Sequence, residues 1–500
     1  MIRLLTAKES KEADQLAISR GMPSPVLMER AALSVLHTMQ HSHMPLDRVL
    51  VIAGTGNNGG DGIAVARMLC EKGFTPDVLL LGSPEKYSEG MRHQMELLGW
   101  YRPGFVSDYE AGKYSVVVDA IFGVGLSREI SGRAGEIINA LNADRNVRVV
   151  AVDIPSGIHA DNGSICGTAV RAERTVTFAY GKPGLYLAPG AAFAGDVRVA
   201  AIGIPEPDAE GSAFSNRYLL EQDDLKHLPE RDPFGNKGTC GKLLVAAGSR
   251  NIYGAAYLAG RAALGAGAGM VRILTESANR TPLAAAFPEA LISTYDAGYF
   301  DPENYQAALR WADGILAGPG LGTDEDAHAL LTWILDNCRV PLVLDADALN
   351  LIAKDPALKD KMMRTAEVCS VVVTPHLVEM SRLTGRSVDE IRKNPFDAAE
   401  QFARENGVIC VMKDARTVIA CPDGTSYLMH SGTSALATAG SGDVLSGIIA
   451  ALHTVSDEAE ICAAALGDLV HGLAGRAAEE AGSARSATAS DLIEYLPRFL

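Results

Sequence analysis

The sequence predicts an α/β protein of two domains, each built on a parallel sheet with helices packed between the strand crossings. Three observations predict it. Short runs rich in Val and Ile, ending in Gly, Asp or Pro, recur along the chain, as buried parallel strands do. Helical patterns fill the gaps between these runs, which is the signature of βαβ units. The 500 residues are also too many for one ordinary core.

In the first half, strands are expected at Val49–Ala53, Asp77–Leu81, Ser115–Ala120, Arg148–Ile154 and Thr175–Ala179. Helices are expected over Gly60–Lys72 and Gly90–Leu98, giving a doubly wound sheet. The pattern then breaks into Pro, Gly, Ser and acidic residues over Gly203–Asn216, which reads as a linker. The expected domains are therefore residues 1–215 and 222–500. Alternation restarts at Gly241–Ala247 and continues through Val271–Leu274, Gly314–Ala317, Pro341–Asp345, Val371–Thr374 and Val408–Lys413. Helices are expected at Tyr253–Leu264, Asp326–Asn337, Ser387–Arg392 and Pro395–Asn406, with Gly442–Leu500 mostly helical. The halves do not repeat each other, so the chain reads as a fusion.

A net charge of −16 opposes a nucleic-acid partner, because phosphate backbones need a positive field. The eight cysteines are scattered and none forms C-x-x-C, so free thiols are expected rather than a zinc or redox site. The N-terminus turns polar too early for a signal peptide, and no apolar run approaches the ~20 residues of a membrane helix. A cytoplasmic protein with no membrane partner is expected.

Chemistry concentrates at strand ends. Gly54, Gly56 and Gly59 follow a strand and precede a helix, spelling G-x-G-x-x-G. The acid that would bind a ribose after the second strand is missing, so an ordinary dinucleotide site is disfavoured. The polar insert Asn57, Asn58, Gly59, Gly60, Asp61 instead offers amides and a carboxylate beside a phosphate cradle, or a turn with a capping Asp. Asp119 and then Gly123-Val124-Gly125 follow one later strand, and Asp153 and Ser156 another. Ligands of open α/β sheets bind at such ends.

In the second half, Asn236 and Leu243 stand where a P-loop needs Gly and Ser or Thr, which excludes that motif. Ala439-Gly440-Ser441-Gly442-Asp443 leads into an apolar helix, so main-chain amides can converge on a phosphoryl group. Asp443 at that end is placed to take a proton from an attacking hydroxyl, or merely to cap the helix. Further strand ends carry Gly318, Pro319, Gly320 and Gly322; Asp345, Asp347 and Asn350; and Thr374, Pro375, His376 and Glu379. Lys413 and Thr417 follow the last of them, the lysine as a phosphate partner.

The segments GTGNNGGDG, VDAIFGVGL, VDIPSG and TFAYGKPG, with SPVLMERAA as a leading helix, resemble the NAD(P)HX epimerase domain, a Rossmann-like fold. That resemblance implies substrate contacts from Asn57, Asn58, Gly59, Gly60 and Asp61. It implies further contacts from Gly123, Val124, Gly125, Leu126, Ser127, Arg128, Glu129 and Asp153. It also implies a potassium ion (K+) on Asn58, Asp119 and Ser156, and Asp153 is the candidate acid/base. The segments NKGTCGKLLVAAGS, GPGLG, LDADALN, TPHLVEM and AGSGDVL resemble the ribokinase-like, ADP-dependent NAD(P)HX dehydratases. Here the resemblance implies substrate contacts from Ala255, Gly320, His376 and Asp443, with Asp443 catalytic. It implies a nucleotide site at Lys413, Asp414, Ala415, Arg416, Thr417 and Gly442, with magnesium (Mg2+) accompanying ADP.

Together these imply a bifunctional enzyme that epimerises hydrated NADH and NADPH (NADHX and NADPHX) and dehydrates the S form, releasing AMP and phosphate. A homo-oligomer is expected. The alternative is a small-molecule alcohol kinase with a non-catalytic N-terminal binding module; a stable phosphorylated product would mark it.

Overall fold

β-Branched residues dominate the central strands because these are sealed on both faces. In the computed structural model, which describes residues 1–205, 214–455 and 461–500, the chain divides into two units. These are Ile2–Ser215 and Asn216–Leu500, with Met1 grouped in the second.

The N-terminal unit holds β1 (Val49–Ala53), β2 (Asp77–Leu80), β3 (Gly104–Val106), β4 (Val116–Ala120), β5 (Arg148–Val152), β6 (Arg174–Phe178) and β7 (Asp196–Ala200). Their order is β3-β2-β1-β4-β5-β6-β7, all parallel. Every residue of β1 and β4 is buried; β1 reads as an unbroken apolar run, and β4 is interrupted by Asp119 near its end. Strand order reverses between them, and that reversal opens a crevice outside their carboxyl ends. The sequence reading missed β3 and β7, which lie at the sheet edges. Asp196–Ala200 alternates Asp, Val, Arg, Val, and Gly104–Val106 exposes Phe105, so neither carries a core signal.

The helix after β1 runs Asn57–Glu71 rather than from Gly60, with Gly56 as its N-cap. The expected polar loop is thus the first helical turn, which leaves its amides facing the crevice. Two glycines permit the packing around it. A Cβ on Gly54 would lie 2.0 Å from the Ile121 carbonyl oxygen, and one on Gly62 would lie 2.4 Å from Ala120 Cβ.

The C-terminal unit contains β8 (Asn216–Leu220), β9 (Lys242–Ala246), β10 (Met270–Glu276), β11 (Leu291–Tyr295) and β12 (Gly314–Ala317). It continues with β13 (Leu342–Leu344), β14 (Val371–Val373), β15 (Ile409–Met412), β16 (Val418–Ala420) and β17 (Thr425–Met429). These run in the order β8-β17-β16-β15-β14-β13-β12-β9-β10-β11. Only the β15–β16 and β16–β17 pairings among them are antiparallel. The sequence reading missed β8, β11, β16 and β17. Of the expected linker, residues 206–213 lie outside the described residues, while Asn216 opens β8 instead of ending a loop.

Residues 456–460 also lie outside the described residues; on either side, helices Ser441–Val455 and Ala463–Ala481 answer to the expected helical C-terminus. The first of these crosses helix Tyr253–Gly265 so closely that a Cβ on Gly447 would sit 2.2 Å from the Ala259 carbonyl oxygen. Substituting Gly447→Ala should therefore destabilise this unit by about 1–3 kcal/mol through overpacking. A lowered urea midpoint with unchanged m, read by tryptophan fluorescence, checks this.

Candidate active sites

In the N-terminal unit, the crevice is lined by the ends of β1, β4, β5 and β6. The amides of Asn57, Asn58 and Gly59 open helix Asn57–Glu71, and the first backbone bond returned to the cap comes from Gly60. Free first-turn N–H groups with the helix dipole behind them suit an anion. Gly123 packs against Asn58: a Cβ there would lie 3.1 Å from Asn58 Cβ and 3.4 Å from its Oδ1. Beyond it Val124 is half-buried, and Gly125, Ser127, Arg128 and Glu129 are exposed. Leu126 turns its side chain into the apolar cluster that includes Ile121 and Ile130, which leaves its backbone in the loop.

Asp119, at the end of β4, is wholly buried. It accepts from Ser156 Oγ (2.6 Å) and Ser156 N (2.8 Å), and the same hydroxyl accepts from Phe122 N (2.9 Å). Burial pushes the Asp119 carboxyl up to about 6 against the pull of these bonds. Asn58 Nδ2 is buried without a partner. The Asp119 carboxylate, Ser156 hydroxyl, Phe122 carbonyl and Asn58 carboxamide form an all-oxygen donor set, the kind hard cations take.

Asp153 follows β5 at φ 64°, a conformation that costs a non-glycine residue and recurs at functional sites. Its Oδ1 accepts from Lys182 Nζ (2.7 Å), Thr177 Oγ1 (3.1 Å) and Phe178 N (3.2 Å). The lysine is buried and also donates to Thr177 Oγ1 and the Phe178 carbonyl. Two more carboxyls face this pair. Asp61 lies well above the carboxylate range through burial, then the charges of Asp153 and Asp14. Asp14, on helix Ala7–Ser19, is pushed up to about 6, chiefly by burial, with Lys182 opposing and Asp153 reinforcing. Its surface is nonetheless open to solvent, the condition of a group on a cleft wall. The sequence reading missed Asp14, Thr177 and Lys182 as site residues. Lys182 stood in a quoted motif without a role, and nothing local marks Asp14.

In the C-terminal unit, the ends of β9, β12, β13, β14 and β15 converge. Gly320, at φ 57°, lies against Ala255: a Cβ on the glycine would be 2.9 Å from Ala255 Cβ. Gly322 N donates to Asp347 Oδ2 (2.9 Å). Asp345 is buried, and its Oδ1 accepts from Thr374 Oγ1 (2.6 Å) and Lys413 Nζ (2.8 Å). His376 caps helix Leu377–Thr384 through Nδ1, which accepts from Val378 N and Glu379 N, while Nε2 lies 3.4 Å from Glu379 Oε1. Burial and the Lys413 charge hold this imidazole below its usual value. Glu379 is raised to about 7, chiefly by burial.

Helix Ser441–Val455 begins with Ser441, Gly442 and Asp443 as its first turn. Its Gly442 and Asp443 amides find no acceptor among the described residues, as a phosphoryl cradle requires. Lys413 Nζ lies 3.6 Å from where a Gly442 Cβ would be. Asp443 is half-buried, and no hydrogen bond of the described residues occupies its carboxylate. It is raised to about 6 by burial, then Asp345, with Lys413 opposing and Asp347 adding.

The nucleotide segment is more internally engaged than expected. Asp414 pairs with Arg392 at 3.9 Å, and Arg416 Nη1 donates to the His430 carbonyl (2.9 Å). Ala415 is exposed, whereas Thr417 is buried and hydrogen-bonds Asp468. Asp468 and His471, the latter bonded to Ser441 Oγ (3.1 Å), come from helix Ala463–Ala481, and no motif signalled either. Burial pushes Asp468 up to about 7 and His471 down to about 4.

The family model described as NAD(P)H-hydrate dehydratase matches residues 243–498, and that of the YjeF-related protein N-terminus matches 24–184. A bifunctional NAD(P)H-hydrate repair enzyme of Moorella thermoacetica is 37% identical over 528 aligned positions, covering 99% of this chain and 96% of that protein. One from Thermofilum pendens is 36% identical and covers 100% and 96%. Among solved structures, a ribokinase-like superfamily protein of Enterococcus faecalis aligns with TM-score 0.50 and 26% identity, over 58% of this chain and 97% of its own. With both halves matched in order and relatives aligned end to end, the chain belongs to the bifunctional NAD(P)H-hydrate repair enzyme family.

Proposed function

We propose that the N-terminal unit interconverts the R and S hydrates of NADH and NADPH. In the same proposal, the C-terminal unit dehydrates the S form at the expense of ADP. The observation that carries this is Asp443: a half-buried carboxyl without a hydrogen bond, set beside free helix-terminal amides and the Lys413 ammonium.

In the dehydratase, Asp443 takes the proton from the ring hydroxyl as its oxygen bonds to the terminal phosphorus of ADP, and AMP departs. The Gly442 and Asp443 amides hold the charge gathering on the phosphoryl oxygens. The ester C–O bond then breaks, phosphate leaves with its electron pair, and loss of a neighbouring ring proton restores the dihydropyridine. His376, Gly320 and Ala255 frame the substrate, while Lys413 to Thr417 and Gly442 hold the nucleotide. Magnesium, bound with the nucleotide, would neutralise charge on its phosphates.

In the epimerase, the hydrate's hydroxyl leaves as water after protonation, helped by the ring nitrogen's lone pair. Water returns to the opposite face and surrenders a proton. Asp61, which burial holds well above the usual carboxylate range, serves as the acid; Asp153 beside Lys182 serves as the base. Asn57 to Asp61 and the Gly123–Glu129 loop hold the substrate. Asn58, Asp119 and Ser156, with the Phe122 carbonyl, would hold a potassium ion, which would supply a fixed positive charge to the site. The proteins act as cytoplasmic homo-oligomers in this reading.

Asp153→Asn should slow interconversion of the hydrates by about 10²–10⁴-fold. It should leave ADP-driven consumption of the S hydrate unchanged; chromatography of the two hydrates with recovery of dihydronicotinamide absorbance checks both. Dehydratase kcat should fall tenfold per unit as pH drops below about 6, because Asp443 is protonated there and a protonated carboxyl takes no proton. Asp443→Asn should cost about 10²–10⁴-fold in kcat and flatten that limb.

A further inference from the structure

Three adjacent strand ends meet behind Asp443. Leu344 pairs with Val373 across β13 and β14, and β14 pairs in turn with β15. The next residues along, Asp345 and Thr374, therefore stand side by side, and an isolated bridge between His376 and Lys413 continues the β14–β15 register beyond the strands. Lys413 N also donates to the Pro375 carbonyl (2.8 Å), so the lysine's backbone is tied to the same edge. The side chains converge on one oxygen. Asp345 Oδ1 receives both Thr374 Oγ1 at 2.6 Å and Lys413 Nζ at 2.8 Å.

The second oxygen of Asp345 is buried and finds no hydrogen-bond partner among the described residues. An unfilled buried carboxylate oxygen is costly. It sits on a group only 1% exposed, facing the same site as Asp443. Ala346, between Asp345 and Asp347, adopts φ 48°, a strained turn that lets two successive aspartates serve the site.

We infer that Asp345, so far without a role in this site, is the positioning residue of the dehydratase: it anchors the Lys413 ammonium beside Gly442 and so orders the charges around Asp443. The inference rests on the reading of Asp443 as base. Two consequences of the geometry separate it from simple structural support. Lys413 is long and flexible, and among the described residues its one side-chain hydrogen bond, to Asp345, keeps the ammonium at the mouth of the amide cradle. Asp345 also contributes like charge to Asp443, whose other charged neighbours are Lys413 and Asp347. Lys413 in turn faces Glu379, Asp468, His376 and His471. Removing the Asp345 charge therefore makes Asp443 a weaker base and frees the ammonium.

The test uses the full chain with hydrated NADH and ADP, and the variants Asp345→Asn, Thr374→Val and Asp443→Asn. Asp345→Asn should move the acid limb of kcat down by about one pH unit, the low end of the effect of a near charge. It should also lower plateau kcat at least tenfold and weaken calorimetric ADP affinity several-fold, because the freed Lys413 belongs to the nucleotide site, while the melting transition persists. Thr374→Val keeps the charge and loosens its seat, so it should lower kcat several-fold and leave the limb in place. An unmoved limb in a folded Asp345→Asn protein overturns the inference, whatever the loss of rate. Should Asp345→Asn fail to fold, Thr374→Val decides alone: wild-type kcat overturns the inference, and a several-fold loss with the limb in place supports it. Asp443→Asn separates the two readings, since full turnover there removes the assigned base, whereas lost turnover with an unmoved Asp345→Asn limb removes only the positioning role.

Discussion

A lysine ammonium brought to the end of a central strand needs a countercharge, and the C-terminal site is arranged around that need. The Lys413–Asp345 pair draws its members from β15 and β13, and Thr374 from the strand between closes it. Breaking such a pair strands a charge in low dielectric, so the three strand ends are locked in mutual register. Asp443 and its amides approach this fixed point from helix Ser441–Val455, and Gly447 lets that helix come close enough to helix Tyr253–Gly265 to reach it. Charge, register and close packing are one constraint here.

The N-terminal unit solves a related problem with a different fold. Lys182 is again buried against an aspartate, and Asp153 is again backed by a threonine hydroxyl. The surroundings differ in the number of acids. Asp61 and Asp14 face the pair and are raised chiefly by burial, with the Asp153 charge adding to both. In each unit a lysine pairs with one aspartate while burial raises a second carboxyl beside that pair, the kind of difference in environment that divides acid and base roles.

Legibility followed local chemistry. Strands β1, β4, β5 and β14 were plain because burial on both faces fills each with a run of at least three consecutive apolar residues. The edge strands Gly104–Val106 and Asp196–Ala200 were not, since half their surface meets water and their residues alternate or are few. Helix Ala7–Ser19 did carry a capping signature, Thr6 with Glu9, that could have found it. The start of helix Asn57–Glu71 was misplaced because Asn57 and Asn58 suit turns, whereas here free first-turn amides are tolerated at an open crevice. Leu126 sat within a polar-looking loop yet turned inward, which no neighbour in sequence announces.

The sequence by itself determined the α/β class, the two clusters of strand-end residues and, through ordered motifs, the family. It could do so because glycines, aspartates and amides at strand ends are adjacent along the chain to the runs that bury them. The tertiary structure alone decided that Lys182 meets Asp153, that Asp345 holds Lys413, and that Asp14, Asp468 and His471 join their sites. Those contacts join different elements through sheet order and helix crossing, and a carboxyl's burial, hence its proton, depends on neighbours that no local pattern names.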